Sequence, residues 1–333
     1  MFEEAAGAAT AVARQAADPA YAVVADCLRS DPPRLVMTCA RGSSDHAATY
    51  AKYLVETVLR IPVSSASPSV SSLYGARTAS DRTLCLAISQ SGGSPDLVAT
   101  VAALREGGAA ALALVNTAGS PLAVAAGHEL ALGAGRERSV AATKSHICSL
   151  SAVARLVALL EPDAALLSAL DTLPAALDEA WHADWSPLVD LLAGHRRLYV
   201  IGRGYGLGIA QEAALKFKET CQLHAEAYSA AEVLHGPSAL IGPDMPLLVF
   251  RQQDETTAGV DALIDEALIR GAPVLVAGAA PAGAIALPAA PLHPALQPIA
   301  QIQSFYRAVE ALSRARGLDP DRPPHLRKVT QTL

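Results

Sequence analysis

The stretch Thr83-Leu84-Cys85-Leu86-Ala87-Ile88-Ser89-Gln90-Ser91-Gly92-Gly93-Ser94-Pro95-Asp96 decides the fold class. Thr83 to Ile88 is a short apolar run of the buried-strand type, and a Ser/Gly-rich loop, Ser89 to Gly93, follows it. Pro95 to Glu106 then reads as a helix that Gly107-Gly108 ends. Working outward, Ala109 to Val115 supplies the next strand. On the N-terminal side Leu35 to Cys39 is a strand candidate, which Arg41-Gly42-Ser43-Ser44 breaks. Asp45 to Arg60 follows as a helix with Ala47, Tyr50, Ala51, Leu54 and Val58 on one face. Ser145 to Leu160 is an apolar helix, and Asp163 to Trp181 a connecting helical segment interrupted near Pro174. Short apolar runs alternating with helical patterns predict a parallel sheet covered by helices.

The plan then restarts. Arg197-Leu198-Tyr199-Val200-Ile201 leads into Gly202-Arg203-Gly204 much as Arg34-Leu35-Val36-Met37 leads toward Arg41-Gly42. A helix over Ile209 to Gln222, a strand over Leu247 to Phe250, a helix over Thr256 to Arg270 and a strand over Pro273 to Ala277 complete the parallel. We therefore expect an α/β protein of two similar domains, residues 20–162 and 186–316, with a boundary between about residues 162 and 187. Pro294 to Arg316 reads as the last helix. Residues 317–333 form a Pro-rich tail that could fray and ends Lys328-Val329-Thr330-Gln331-Thr332-Leu333.

Composition excludes several classes. The 333 residues are 51% hydrophobic and 17% charged, which suits compact, mostly buried sheets rather than a disordered or fibrous chain. A formal net charge of -6 gives no general attraction to nucleic acid or anionic membrane, so an anion site has to be local. The five cysteines, Cys27, Cys39, Cys85, Cys148 and Cys221, lack CxxC or metal-ligand spacing and are expected to be reduced and buried. The opening Met1-Phe2-Glu3-Glu4 lacks a basic segment followed by an apolar run, and no apolar stretch reaches membrane-spanning length. A cytoplasmic location is the expectation.

Three regions carry candidate chemistry. The Ser89–Asp96 loop lies where open parallel sheets place ligands. With Ser94 at the helix cap and Pro95 at its first position, backbone N–H groups and hydroxyls would form a phosphate cradle. A Ser/Gly-rich turn with an ordinary cap is the bland alternative. No Lys follows the glycines in the Walker pattern. Gly202-Arg203-Gly204-Tyr205-Gly206-Leu207-Gly208 departs from a dinucleotide fingerprint at Leu207, and a strand-to-helix turn with close backbone approach accounts for its glycines. Lys216 and Glu219 are spaced i, i+3, with Glu212 one turn earlier. They either act together or form a solvated face of ion pairs, each contributing ~0.2 to 0.5 kcal/mol. Downstream, His224-Ala225-Glu226-Ala227-Tyr228 and Glu232-Val233-Leu234-His235-Gly236-Pro237 place histidines and carboxylates in a segment of broken helix and loop, suited to acid/base work on a sugar.

The motifs Gly42-Ser43-Ser44, Ser89-Gln90-Ser91-Gly92, Val140-Ala141-Ala142-Thr143-Lys144, Ala214-Leu215-Lys216-Phe217-Lys218-Glu219, His224 to Tyr228, His235-Gly236-Pro237 and the tail around Lys328 follow one another along the chain. Combined in this order, they resemble the double sugar-isomerase (SIS) family, in particular the isomerase half of glutamine:fructose-6-phosphate amidotransferases. Each domain is then expected to be a three-layer α/β/α sandwich. Within the family, Arg41 to Ala47, Pro68 to Gly75 and the ending from Lys328 look like the stand-alone glucosamine-6-phosphate deaminases. The resemblance implies that Ser43, Ser44, Ser89, Gln90, Ser91 and Ser94 hold a sugar phosphate and that Val140 and Ala142 line the sugar. Ala142 stands where the amidotransferase pattern has a serine, and Arg136 where a less basic residue is expected.

It further implies that His235, donated across a homodimer, opens the pyranose ring. Glu219 would move a proton from C2 to C1, Lys216 would polarise or relay at O1 and O2, and Lys328 would cover or polarise the sugar. Water attack on the C2 imine would expel ammonia from a hexosamine 6-phosphate and leave fructose 6-phosphate, with no metal or redox cofactor needed. With Cys27 the first cysteine of the sequence, the expectation is a chain without the amidotransferase's cysteine nucleophile. A plain aldose–ketose isomerase, a deglycase of a phosphorylated sugar-amine adduct and a non-catalytic sugar-phosphate sensor are the alternatives.

Overall fold

The computed structural model describes residues 1–78 and 80–328, and they fall into two compact units. The first unit holds residues 10–137 and 144–171 with the tail residues Arg327 and Lys328; the second holds residues 1–9, 138–143 and 172–326.

In the first unit five strands, β1 (Leu35–Cys39), β2 (Val63–Ser65), β3 (Thr83–Ser89), β4 (Ala110–Val115) and β5 (Glu129–Ala131), form one sheet in the order β2-β1-β3-β4-β5. Every pairing is parallel, with Val36 opposite Val63 on one side and Leu84 on the other. All seven residues of β3 are buried, as a central strand covered on both faces requires. On one face Leu97, Val101 and Leu104 of the helix Pro95–Glu106 and Leu122 of Pro121–Ala126 pack on Cys85, Ala87, Ala111 and Ala113. Each fully buried Leu, Val or Ile contributes about 1.5 to 3 kcal/mol. The helix Ser43–Leu54 continues through one wider π turn, Val55–Leu59, and packs with Ala20–Ser30 against the apolar helix Lys144–Leu160. The layers are helix, sheet, helix.

The second unit repeats the design. Strands β6 (Arg197–Gly202), β7 (His224–Ser229), β8 (Leu247–Phe250), β9 (Val274–Ala277) and β10 (Ile285–Leu287) run in the order β10-β9-β8-β6-β7, all parallel. Read from its other edge this is the order of the first sheet, so the repeat visible in the sequence is a repeat of topology. Val260, Leu263 and Ile264 of the helix Thr257–Ile269 pack on Tyr199, Ile201, Val249 and Val276. On Phe217 and Phe250, Phe305 of the helix Gln297–Ala315 lies edge-on, its centroid 5.1 and 6.2 Å away.

Three expectations need correction. The segment around Pro174 is one unbroken helix, Ala164–His182: proline removes a single N–H donor, while Leu170, Leu173 and Leu177 stay buried along one stripe. His224 to Tyr228 is not broken helix or loop but strand β7, paired along β6 from Arg197–His224 to Gly202–Ser229. Its polar-apolar alternation has the strand period, with Ala225 buried between exposed His224 and Glu226. Cys27 is exposed, because the helix Ala20–Ser30 buries Tyr21 and Ala25 and turns Cys27 to the other side; the remaining four cysteines are buried and all are free thiols.

Candidate functional site

In the first unit the chain reverses its winding direction between β1 and β3, and such a switch point opens a crevice at the carboxyl ends of the two strands. The loops following them are Arg41 to Ser44 and Ser89 to Ser94. Gly92 adopts φ +62°, and a Cβ there would lie 2.0 Å from Ser120 Oγ, so only glycine lets the loop lie against the start of the next helix. The loop braces itself: Gly92 N–H donates to Ser89 Oγ at 3.0 Å and Gly93 N–H to Ser91 Oγ at 3.3 Å. Ser94 occupies the cap position and Pro95 the first turn, yet the Ser94 hydroxyl makes no capping bond. Ser43, Ser44, Gln90, Ser91 and Ser94 are half-buried, whereas Ser89 is buried.

Two partners of these loops were not legible in the sequence. Arg41 Nε and Nη2 both lie 2.9 Å from Asp96 Oδ2, tying the first loop to the helix start behind the second. Asp96 is fully buried, and its other oxygen accepts the Leu97 N–H at 2.9 Å. From the helix Lys144–Leu160, buried His146 bonds to the Ser43 carbonyl through Nδ1 at 2.9 Å; a carbonyl only accepts, so Nδ1 carries the hydrogen.

At the equivalent switch point of the second unit the two loops pack closely on one another. A Cβ on Gly202 would meet the Gly206 carbonyl oxygen at 2.3 Å, and one on Gly206 would meet Gln252 Oε1 at 2.4 Å. The Gln252 amide is buried there and donates to Phe250 O and Gln301 Oε1. Close packing thus accounts for Gly202, against backbone, and Gly206, against the Gln252 side chain.

The charges on the helix Leu207–Cys221 are not a solvated face. Lys216 and Glu212 side chains are wholly buried and Glu219 is 18% exposed. Lys216 Nζ lies 2.5 Å from Glu219 Oε2 and 3.3 Å from Glu212 Oε1, and Glu212 Oε1 also accepts the Tyr306 hydroxyl at 3.1 Å. Burial works against the ammonium, but Glu212 and then Glu219 outweigh it and hold the Lys216 pKa above the ordinary lysine value. Lys216 is therefore a fixed cation, and Glu219 is the member of the trio that reaches the surface.

His235 ends the short 3₁₀ turn Glu232–His235 and is exposed, between exposed Leu234 and Leu240, while Val233 anchors the turn in the core. His224 sits exposed on β7. Val140 and Ala142 are half-buried in the 138–143 segment, which Glu4 holds by accepting the N–H groups of Arg138 and Ser139. Arg136 is exposed. In the first unit Lys328 Nζ lies 3.3 Å from Glu137 Oε2, and buried Glu137 also accepts Ser145 Oγ at 2.6 Å. The last tail residues, Val329 to Leu333, lie outside the described residues. Among the described residues no group of three or more His, Cys, Asp or Glu is arranged to hold a metal ion, and no helix is long and apolar enough to cross a membrane.

The model for the SIS domain matches twice, over residues 32–159 and 191–290. This chain belongs to the SIS domain family. Each match covers one of the parallel sheets described above. A glutamine--fructose-6-phosphate aminotransferase [isomerizing] of Symbiobacterium thermophilum is 34% identical over 321 residues, covering 89% of this SIS chain and 51% of the relative. The chain thus spans about half the length of the curated relatives it matches. Among solved structures, a Silicibacter pomeroyi protein provisionally named a phosphosugar isomerase is 43% identical, with a TM-score of 0.92 over 96% of this chain and 99% of that one. A glucosamine-6-phosphate deaminase from Thermotoga maritima shares the fold at 19% identity and TM-score 0.78, over 99% of both chains.

Proposed function

We propose that this SIS chain is a glucosamine-6-phosphate deaminase, which converts glucosamine 6-phosphate and water to fructose 6-phosphate and ammonia. The observation that carries the reading is the Lys216–Glu219 pair: a carboxylate at the surface held 2.5 Å from a buried ammonium. A base so placed is held in one position at the surface, where it can take a proton from carbon and return it. In this reading Ser43, Ser44, Ser89, Gln90, Ser91 and Ser94 bind the phosphate at the β1/β3 crevice. Val140 and Ala142 line the sugar, and Lys328 covers it.

His235 moves a proton from the anomeric hydroxyl to the ring oxygen and opens the pyranose. Glu219 takes the proton from C2 and delivers it to C1, and a second proton passes from the 2-amino group to O1, which together turn the 2-amino aldose into a C2 imine with a C1 alcohol. Water adds at C2 and ammonia leaves. Lys216 has its ammonium engaged by both glutamates, so it acts by fixing Glu219. The exposure of His235, flanked by Leu234 and Leu240, supports its donation to a second copy in a homodimer.

A second reading, a phosphosugar aldose–ketose isomerase, is favoured by the likeness to the Silicibacter pomeroyi protein; the same base and ring-opening histidine serve both. A coupled assay of ammonia and fructose 6-phosphate across hexosamine 6-phosphates separates them. Ammonia equal to ketose is the deaminase result, and ketose from glucose 6-phosphate without ammonia from any amino sugar is the isomerase result.

A further inference from the structure

The two loops at the β1/β3 crevice, Ala40 to Ser44 and Ser89 to Asp96, contain one basic residue, Arg41. Hydroxyls, backbone N–H groups and the start of a helix supply partial positive charge, whereas a phosphate monoester brings between one and two full negative charges at neutral pH. A buried carboxylate at the same helix start would repel that ligand. Asp96 is such a carboxylate, and Arg41 covers it with Nε and Nη2, both 2.9 Å from Oδ2. The acid side chain is 0% exposed and the arginine 48% exposed, so the pair is an oriented dipole whose positive end reaches solvent. Asp96 fixes one edge of a planar, multi-donor fork and leaves the rest available to an oxyanion.

We propose that Arg41, positioned by Asp96, is the charged phosphate-recognition residue of this crevice, and that it sets the preference for a phosphorylated sugar over the free sugar. The proposal rests on the phosphate reading of the Ser89 to Ser94 loop given above.

The test measures fructose 6-phosphate affinity by calorimetry as a function of salt. The double variant Arg41→Met with Asp96→Asn removes both charges together, so that no buried acid is left unpaired. We expect it to bind 10- to 100-fold more weakly, with a shallower salt dependence, while its melting temperature stays close to that of the parent. Arg41→Lys, which keeps the charge but not the fork, should weaken binding several-fold and covers the case in which the double variant does not fold. Affinity within twofold of the parent in either folded variant overturns the proposal. If Ser91→Ala with Ser94→Ala then still loses tenfold or more, the loop remains a phosphate site without Arg41. If the serine variant also binds as tightly as the parent, the phosphate reading itself falls.

Discussion

Lys328 and Glu137 meet at 3.3 Å across 191 residues of sequence, and the carboxylate they share with Ser145 is completely buried. Glu137 also accepts the Ser145 N–H at 3.3 Å in the first turn of the helix Lys144–Leu160, where a negative charge is favourable. One acid therefore caps a core helix and receives the tail lysine. Glu137→Gln and Lys328→Ala should each lower kcat/KM for ammonia release, and the double variant should be no worse than the poorer single one, because the two act as a unit. Additive losses would separate the tail lysine from Glu137.

Lys216→Met leaves Glu212 buried without its cation and should cost about 3 to 5 kcal/mol in denaturant unfolding. Adding Glu212→Gln should recover part of that loss. The pH dependence follows the same pair. The folded pKa of Lys216 lies above its usual 10.5, so its stabilisation is fully present below the unfolded value and is lost as pH rises through the folded one. The parent should lose stability on the alkaline side of pH 10.5 more steeply than Lys216→Met, which has no such group to titrate. Parallel curves would show that the ammonium is not held as described.

Thiol reactivity tests the burial pattern. Burial pushes the Cys85 and Cys148 thiols up to about 12 and Cys221 to about 11, and it raises Cys39 as well. At pH 8 a disulfide reagent should titrate one thiol quickly, Cys27, and the other four only after unfolding. Rapid reaction of a second thiol would contradict the packing of the corresponding helix or strand.

Much of the fold was legible because buried parallel strands are apolar throughout: Leu35–Cys39, Leu247–Phe250 and the helix Pro95–Glu106 lie where the sequence puts them. The edge strands Val63–Ser65, Glu129–Ala131 and Ile285–Leu287 were not, since three residues make no apolar run. Strand β7 was misread because its polar residues drew attention as chemistry while their alternation marked an edge. At the site, i, i+3 spacing brought Lys216 and Glu219 together on paper but gave no sign that the face is buried, which is decided by Tyr306 and its neighbours on a distant helix. Arg41–Asp96 and Lys328–Glu137 join residues far apart in sequence. Local pattern holds no trace of such pairs; they come into being only when the sheet sets two loops side by side or the tail docks.

The central claim is that Glu219 carries the proton in a deamination, and Glu219→Gln tests it most directly. The substitution keeps shape and a hydrogen-bonding group but cannot accept the C2 proton. With glucosamine 6-phosphate the parent should release one ammonia per fructose 6-phosphate formed. The variant should bind fructose 6-phosphate with nearly unchanged affinity and release no ammonia above background. Ammonia release by Glu219→Gln within tenfold of the parent rate would contradict the account.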